Sequence, residues 1–275
     1  MDYVREALDR ANVSLDKTRP SSSIRTAAPL GPRPLSEVQS PPSPPWAPRQ
    51  VKLDPRHLER HRIVSFAMED PGHMPFNLLR TRVRAVLGQH GWKSVGITSP
   101  SPACGKTMVS LNLGFSFARD SDLRTVVVDF DLKRPSLAHT LGVTASATVA
   151  QVLKGQAEFG DCFVQVGSNL ILGLGGGHVR ESSELIQGPR TRQLLEFIHR
   201  TIAPDVVLFD LPPMGVGDDV IAFLPQIDAA LLVAAAGQTT IAEIDGCEQQ
   251  ISQNGKFIGV VLNKAKIESK DYYAY

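Results

Sequence analysis

The segment at 96–135 constrains the fold of this chain more than any other part of the sequence. It starts with an apolar run, continues into a loop rich in Ser and Pro that closes on Gly-Lys-Thr at 105–107, and then has the composition of a helix. A second apolar run at 125–128 leads into Asp129 and Asp131. A strand, a phosphate-binding loop, a helix and a strand that ends in carboxylates are how proteins hold a nucleoside triphosphate and its magnesium. The segment therefore predicts a nucleotide site.

Apolar strands continue to alternate with helical stretches through the rest of the folded region. We predict strands at 94–99, 125–129, 169–173, 205–210, 229–235 and 257–263. We predict helices at 74–89, 106–119, 134–141, 147–154, 190–201, 218–224 and 240–253. This alternation predicts an α/β fold with a mainly parallel sheet and helices on both faces. Ligands of such sheets bind at the carboxyl ends of the strands, where the acidic residues fall.

The amino-terminal part has a different composition. Nine of the twenty prolines lie between residues 17 and 50, and these residues favour a disordered, partly polyproline-II segment. We therefore predict a disordered Pro-rich region at 1–50 with a possible short helix at 2–13. The nucleotide-binding domain is predicted at 51–265, and a flexible tail at 266–275.

Composition limits the classes of partner. The net charge of +1 gives no basic surplus for nucleic acid, so no nucleic-acid partner is expected. The three cysteines are widely spaced and form no C-x-x-C, which favours a reducing cytoplasm. No segment approaches the ~18 apolar residues of a membrane span. We expect a cytoplasmic protein that reaches a membrane only through a partner.

The loop before the first long helix has the residues that a triphosphate needs. Its backbone N–H groups would wrap the β-phosphate, the ammonium of Lys106 would reach the β and γ oxygens, and the hydroxyl of Thr107 would bind magnesium. Pro100 stands where the strict pattern has glycine. The predicted nucleotide-binding residues are Ala103, Cys104, Gly105, Lys106, Thr107, Met108 and Asn263. Asn263 either meets the edge of the adenine or caps a strand end.

Three acidic residues close apolar strands. Asp129 and Asp131 leave their strand on the same side, where the two carboxylates can hold magnesium and one can accept a proton from an attacking hydroxyl. The alternative is a helix cap with a salt bridge to a following basic residue. Asp210 ends the strand before Pro-Pro and predicts a further magnesium carboxylate. Asp218 and Asp219 are either helix caps or site residues, and we favour caps.

Together these motifs resemble the bacterial protein-tyrosine kinases of capsule and exopolysaccharide synthesis, which have a P-loop NTPase-like fold. The likeness rests on the phosphate loop, on VVVDFDLKRP at 126–135 and on VVLFDLPP at 206–213. It implies ATP and Mg²⁺ as cofactors. It also implies Lys106, Asp129, Asp131 and Asp210 as catalytic residues, and Thr107 with the three aspartates as magnesium ligands.

The tail adds an independent observation. Three of the four tyrosines, Tyr272, Tyr273 and Tyr275, lie in the last four residues. The resemblance implies that neighbouring subunits phosphorylate such tyrosines in trans. It also implies a separate transmembrane polysaccharide co-polymerase or activator as partner. The resemblance implies a homo-oligomer through the 74–89 helix. The family's E-x-x-R-x-x-R motif aligns on Met74, Asn77 and Arg80, and this chain differs from it at two of the three positions.

The function predicted is an ATP- and Mg-dependent protein-tyrosine autokinase that regulates polymerisation and export of capsule or exopolysaccharide. One alternative is a MinD/ParA-like positioning ATPase, whose signature lysine would stand where this chain has Ser101. The other alternative is a non-enzymatic ATP-binding scaffold.

Overall fold

A computed structural model of the chain describes residues 46–67 and 71–265. The predicted helix at 2–13, most of the Pro-rich region and the tail at 266–275 lie outside these described residues. The limits of the three predicted segments therefore stay a prediction. Even so, the described fold already includes Arg49 and Gln50, which precede the predicted start of the domain at Val51.

The described residues form one eight-stranded sheet. Its strands are β1 (Arg49–Gln50), β2 (Ser94–Thr98), β3 (Thr125–Asp129), β4 (Phe163–Val166), β5 (Leu170–Gly173), β6 (Val206–Asp210), β7 (Ala229–Ala235) and β8 (Phe257–Asn263). Their order across the sheet is β1-β4-β5-β3-β6-β2-β7-β8. Among these pairs, β4 and β5 run antiparallel and the others run parallel. This confirms the mainly parallel sheet and all six predicted strands.

The α-helices of the described residues are α1 (Pro55–Arg60), α2 (Met74–His90), α3 (Lys106–Ala118), α4 (Leu137–Leu141), α5 (Val149–Leu153), α6 (Ser182–Gln187), α7 (Pro189–Phe197), α8 (Asp219–Phe223) and α9 (Ile241–Asn254). A π-helical turn, Ile198–Ile202, continues α7. Each helix predicted within the described residues is present. Helix α4 begins at Leu137, three residues later than its predicted start at 134, because Pro135 interrupts the preceding backbone.

Alternate residues of the buried strands point into two apolar cores, one on each face of the sheet. Val126 and Val128 belong to one core, whereas Val127 between them belongs to the other. All five residues of β3 are buried. Helices therefore cover both faces, as predicted for a βαβ sheet.

Two short strands and two short helices were not predicted. Strands β1 and β4 have two and four residues, too few for an alternating pattern to stand out. Strand β4 forms a hairpin with β5, and Gly167 turns the chain between them at a φ of 63°. Helices α1 and α6 have six residues each, which is less than two turns.

The strand order brings the phosphate loop and the strand-end carboxylates together. Strand β6 lies between β2 and β3, so the loop that follows β2 meets the carboxyl ends of β3 and β6. Asp129 and Asp210 are direct register partners on β3 and β6.

Separately, none of the helices in the described ranges is both long enough and apolar enough to span a bilayer.

Candidate active site

The phosphate loop runs from Ser99 to Gly105 and leads directly into helix α3. Ala103 and Gly105 both have positive φ angles, of 64° and 94°, which turn the backbone sharply before the helix. The Asn263 amide donates a hydrogen bond of 2.8 Å to the Cys104 carbonyl. A Cβ at Gly105 would overlap this amide group, so glycine is required there. Asn263 therefore supports the loop itself.

The start of the loop is anchored to the chain that follows β6. The Met214 N–H donates to the Ser99 carbonyl at 2.8 Å, and the Gly215 N–H donates to the Pro100 carbonyl at 3.0 Å. Pro100 has no N–H of its own to offer a phosphate, but its carbonyl fixes the loop against the 3₁₀ turn Met214–Val216. The departure from glycine at this position is thus compatible with an ordered phosphate loop.

Lys106 lies between two carboxylates at the end of this loop. Its Nζ is 2.8 Å from Asp131 Oδ2 and 3.8 Å from Asp210 Oδ2. All three side chains are nearly excluded from solvent. Burial alone would lower the pKa of Lys106, but the charges of Asp210 and Asp131 outweigh it and raise the pKa above its ordinary value. The lysine is therefore fully charged.

Hydroxyl groups surround the Asp210 carboxylate. Thr107 Oγ1 donates to Asp210 Oδ2 at 2.6 Å, and Ser110 Oγ donates to Asp210 Oδ1 at 3.2 Å. Burial raises the pKa of Asp210, while Lys106 and the Thr107 hydroxyl act in the opposite direction. Ser136 Oγ also lies 2.9 Å from Thr107 Oγ1. A threonine hydroxyl next to a strand-end carboxylate is the arrangement predicted from the sequence.

Three backbone N–H groups surround the Asp129 carboxylate. Its Oδ2 accepts the backbone N–H groups of Ser136 at 2.8 Å and Leu137 at 3.0 Å, which lie at the start of α4. Its Oδ1 accepts the Asp131 N–H at 3.3 Å. Burial and the charge of Asp210 raise the pKa of Asp129 to about 8. The carboxylate thus organises the turn that carries Asp131 and the start of α4. These bonds match the helix-cap part of the alternative, whereas Lys133 forms its ion pair with Asp219.

A cavity of ≈ 450 Å³ opens beside these groups. Of the predicted nucleotide-binding residues, five line it: Ala103, Gly105, Lys106, Thr107 and Met108. Asp131 also lines it, whereas Asp129 and Asp210 are fully buried behind its wall. Cys104 is likewise fully buried. The three predicted phosphoacceptors, Tyr272, Tyr273 and Tyr275, lie outside the described residues.

Comparison with known proteins identifies the family. No family model matches the chain. The chain is 30% identical over 204 residues to tyrosine-protein kinase CpsD of Streptococcus pneumoniae serotype 4 (strain TIGR4), and the alignment covers 72% of this chain and 86% of CpsD. The chain belongs to the bacterial tyrosine-protein kinases. This confirms the resemblance to the kinases of capsule and exopolysaccharide synthesis, and with it the enzyme class predicted from the three motifs.

A second relative, tyrosine-protein kinase Etk of Escherichia coli K12, is 28% identical over 242 residues, which cover 84% of this kinase but only 33% of Etk. The solved kinase domain of Etk superimposes with a TM-score of 0.65 at 28% identity, over 73% of this chain and 78% of that domain. The kinase therefore corresponds to about a third of Etk. The fold is also found in cobyrinic acid a,c-diamide synthase from Mycobacterium smegmatis, which was solved with a bound ATP analog and magnesium. This structure matches with a TM-score of 0.53 at 16% identity, over 66% of this chain and 79% of that protein.

The kinase site also contains residues that were not among the predicted site residues. Lys133, Arg134 and His61 line the cavity. Asp219, predicted as a helix cap, instead forms an ion pair with Lys133 at 3.1 Å. A basic residue two positions after Asp131 was the available signal for Lys133. The pairing of Lys133 with Asp219 was not predicted, because three strands, β4, β5 and β6, lie between the two residues in the sequence.

Proposed function

We propose that this kinase binds Mg-ATP in the cavity at the carboxyl ends of β2, β3 and β6. It transfers the γ-phosphoryl group to Tyr272, Tyr273 and Tyr275 of a neighbouring copy. The observation that carries the proposal is the position of Lys106, whose Nζ lies 2.8 Å from Asp131 and 3.8 Å from Asp210 at the wall of this cavity. A cation beside two strand-end carboxylates is what γ-phosphoryl transfer requires.

Lys106 and the loop bind the phosphates in this proposal. The backbone N–H groups from Ala103 to Met108 face the β-phosphate, and the start of the thirteen-residue helix α3 adds its positive dipole end. Lys106 exchanges its bond to Asp131 for the β and γ oxygens, which frees that carboxylate. Asn263 keeps the loop in shape through its bond to Cys104, and its remaining amide oxygen is the group that we assign to the adenine edge.

The donor set fits magnesium. Thr107 and Asp210 offer a hydroxyl and a carboxylate 2.6 Å apart, and Asp131 lies on the other side of Lys106. Hard oxygen ligands of this kind suit Mg²⁺, which keeps several waters and shares the substrate's phosphates. Among the described residues, no three His, Cys, Asp or Glu side chains converge as a closed metal cage, in keeping with that open coordination. When bound, the ion would neutralise charge on the γ-phosphate. Asp129 would act mainly by orienting Asp131.

Asp131 is the base that we assign. It would take the proton of the incoming tyrosine hydroxyl while the phenolic oxygen forms a bond to the γ-phosphorus. The bond from the γ-phosphorus to the β–γ bridging oxygen breaks at the same time, and ADP leaves with that oxygen. Of the three site carboxylates, Asp131 is the one that lines the cavity, so a substrate hydroxyl can reach it.

Partners follow from the same proposal. The kinase would work with a separate transmembrane co-polymerase that brings it to the inner face of the cell membrane, and its phosphorylation would regulate capsule or exopolysaccharide polymerisation and export. Homo-oligomerisation would use the 74–89 helix, where Met74 and Leu78 are each 53% exposed. Asn77 and Arg80 are held within the subunit, since they bond to Ser116. Each phosphate added to the tail would contribute about −1.5 to −2 charge and loosen such an assembly.

The test is an incubation of the purified full chain with Mg-ATP, followed by detection of phosphotyrosine, with and without the cytoplasmic end of a co-polymerase from the same operon. Lys106→Ala and a chain that lacks 272–275 are run beside the wild type. We expect phosphotyrosine in the wild type alone. ATP turnover without phosphotyrosine would support a positioning ATPase, and binding without turnover would support a scaffold. Either result contradicts the proposal.

A further inference from the structure

Lys133 presents a second ammonium group to the nucleotide cavity. It lies two residues beyond Asp131 and lines the same cavity as Lys106. Its Nζ is 3.1 Å from Asp219 Oδ1, and its side chain is 21% exposed while that of Asp219 is 2% exposed. A buried carboxylate without a cation would be strongly destabilising, so this ion pair fixes where the ammonium lies.

The Asp219 carboxylate is held in turn by a second partner. Ser182 Oγ, at the start of α6, donates to Asp219 Oδ2 at 2.6 Å, and Ser182 is 1% exposed. Asp219 therefore uses one oxygen for Ser182 and the other for Lys133. Because both oxygens are occupied, the carboxylate has one orientation, with Oδ1 directed at the Lys133 ammonium.

The backbone around Lys133 is fixed from the same side. His178 Nδ1 lies 2.8 Å from the Lys133 carbonyl, and the Val179 N–H donates to the Leu132 carbonyl at 3.0 Å. The Lys133 side chain packs over Gly217, where an added Cβ would lie 2.6 Å from Nζ. Three chain segments thus converge on one lysine. A lysine placed only for solubility would not be enclosed in this way.

We infer that Asp219 is a positioning residue that holds the Lys133 ammonium at the phosphate end of the cavity, where Lys133 binds the γ-phosphate of ATP. This inference rests on the ATP-binding part of the proposed function. Lys106 marks the phosphate end, and Lys133 lines the same cavity. The Lys133 ammonium lies against Gly217, and the neighbouring Gly215 N–H bonds to the Pro100 carbonyl of the phosphate loop. The chemical class recognised is a terminal phosphate, which ATP has and ADP lacks. Lys133 therefore contributes preference for the triphosphate over the diphosphate.

The test measures this preference directly. Dissociation constants of the full chain for Mg-ADP and for Mg-AMP-PNP, a non-hydrolysable ATP analogue, are obtained by titration calorimetry, and their ratio is compared among variants. We expect Lys133→Gln and Asp219→Asn each to reduce the triphosphate preference about tenfold, the usual size of a charge-assisted phosphate contact. Lys133→Arg keeps the charge and should retain the preference within about twofold.

Three further variants test whether Asp219 positions the Lys133 ammonium or only stabilises the fold. Asp218→Asn changes the neighbouring exposed carboxylate, which makes no side-chain capping bond, and should leave the ratio unchanged. Ser182→Ala removes the other partner of Asp219. It should lower the melting temperature while changing the ratio of the two dissociation constants little. The Lys133→Gln/Asp219→Asn double variant should lose no more preference than Lys133→Gln alone, because both changes act through one ammonium.

The outcomes are distinct from those of the phosphotyrosine experiment. An unchanged ratio in Lys133→Gln, or losses that multiply in the double variant, would overturn the inference. Lys133→Gln alone decides it where Asp219→Asn fails to fold. A wild type that binds neither nucleotide overturns it as well. A wild type that prefers the triphosphate through Lys133 but forms no phosphotyrosine contradicts the kinase proposal and leaves this inference standing.

Discussion

The Lys106 ammonium lies 2.8 Å from the Asp131 carboxylate, and both side chains are nearly buried. In this arrangement the cation that we propose for the phosphates and the base that we propose for the tyrosine neutralise each other. Binding of a triphosphate would separate the pair, because the phosphate oxygens compete for Lys106. Under the proposed function, nucleotide binding would therefore release the base.

Lys106→Ala should reduce phosphotyrosine formation by at least about a hundredfold, because it removes the cation that stabilises the transferring phosphoryl group. It also leaves two buried carboxylates without their partner. Phosphotyrosine is measured by immunoblot and folding by circular dichroism. Lys52→Ala, a change of an exposed lysine, is the matched control and should retain full activity.

Asp131→Asn should separate catalysis from binding. The amide keeps the shape of the side chain but cannot accept the tyrosine proton, so phosphorylation at saturating ATP should fall about 10²–10⁴-fold. Affinity for Mg-ATP should change far less. A variant that loses ATP binding as severely as activity would mean that Asp131 serves the nucleotide and not the proton.

Gly105→Ala should abolish nucleotide binding and lower the free energy of unfolding by about 1–3 kcal/mol, the range for a strained backbone position. The φ of 94° is unfavourable for alanine, and the new Cβ would overlap the Asn263 amide. Gly91→Ala is a matched control, since Gly91 has a φ of 68° but open space around its Cα. It should show backbone strain in urea denaturation while retaining full ATP affinity.

The pH dependence of stability should report Asp129. Its pKa is about 8 in the folded protein against an ordinary value of 3.8. Between about pH 4 and pH 8 the folded state therefore binds a proton that the unfolded chain has lost, so the free energy of unfolding falls as the pH rises through this window.

Asp129→Asn should weaken that fall, measured by urea denaturation at pH 5 and pH 8. A smaller slope remains because burial also raises the pKa of Asp210. A variant whose slope equals that of the wild type would show that Asp129 is ionised throughout.

Trp46→Ala should destabilise the domain by about 2–3 kcal/mol, less than for a fully buried tryptophan. Its ring packs edge-on against Phe163 and Phe197, with centroids at 5.8 and 5.2 Å. Gln50→Ala changes an exposed side chain of the same segment and should be nearly neutral. A neutral Trp46→Ala would support the domain start at Val51 that the sequence predicts.

The sequence predicts the central strands and the phosphate loop, because apolar runs and acids at strand ends are local patterns. It also predicts that Lys106 meets Asp131 and Asp210, because a parallel sheet brings the carboxyl ends of its strands to the same edge of the sheet. It does not predict that backbone N–H groups occupy Asp129, since that depends on the turn between Asp131 and Leu137. Nor does it predict the Lys133–Asp219 pair, which requires knowledge of how distant loops pack. The packing of Trp46 against the domain is not predicted, because the surrounding prolines favour a disordered segment.

We propose that the Lys106 site of one subunit phosphorylates the tail of another subunit. The direct measurement mixes a Lys106→Ala chain, which keeps its tyrosines, with a chain in which Tyr272, Tyr273 and Tyr275 are all Phe. After incubation with Mg-ATP, peptide mass spectrometry locates phosphate. The account predicts phosphotyrosine at 272–275 of the Lys106→Ala chain in the mixture and none in either chain alone. Tail phosphorylation of the Lys106→Ala chain by itself, or none in the mixture while the wild type is modified, would contradict it.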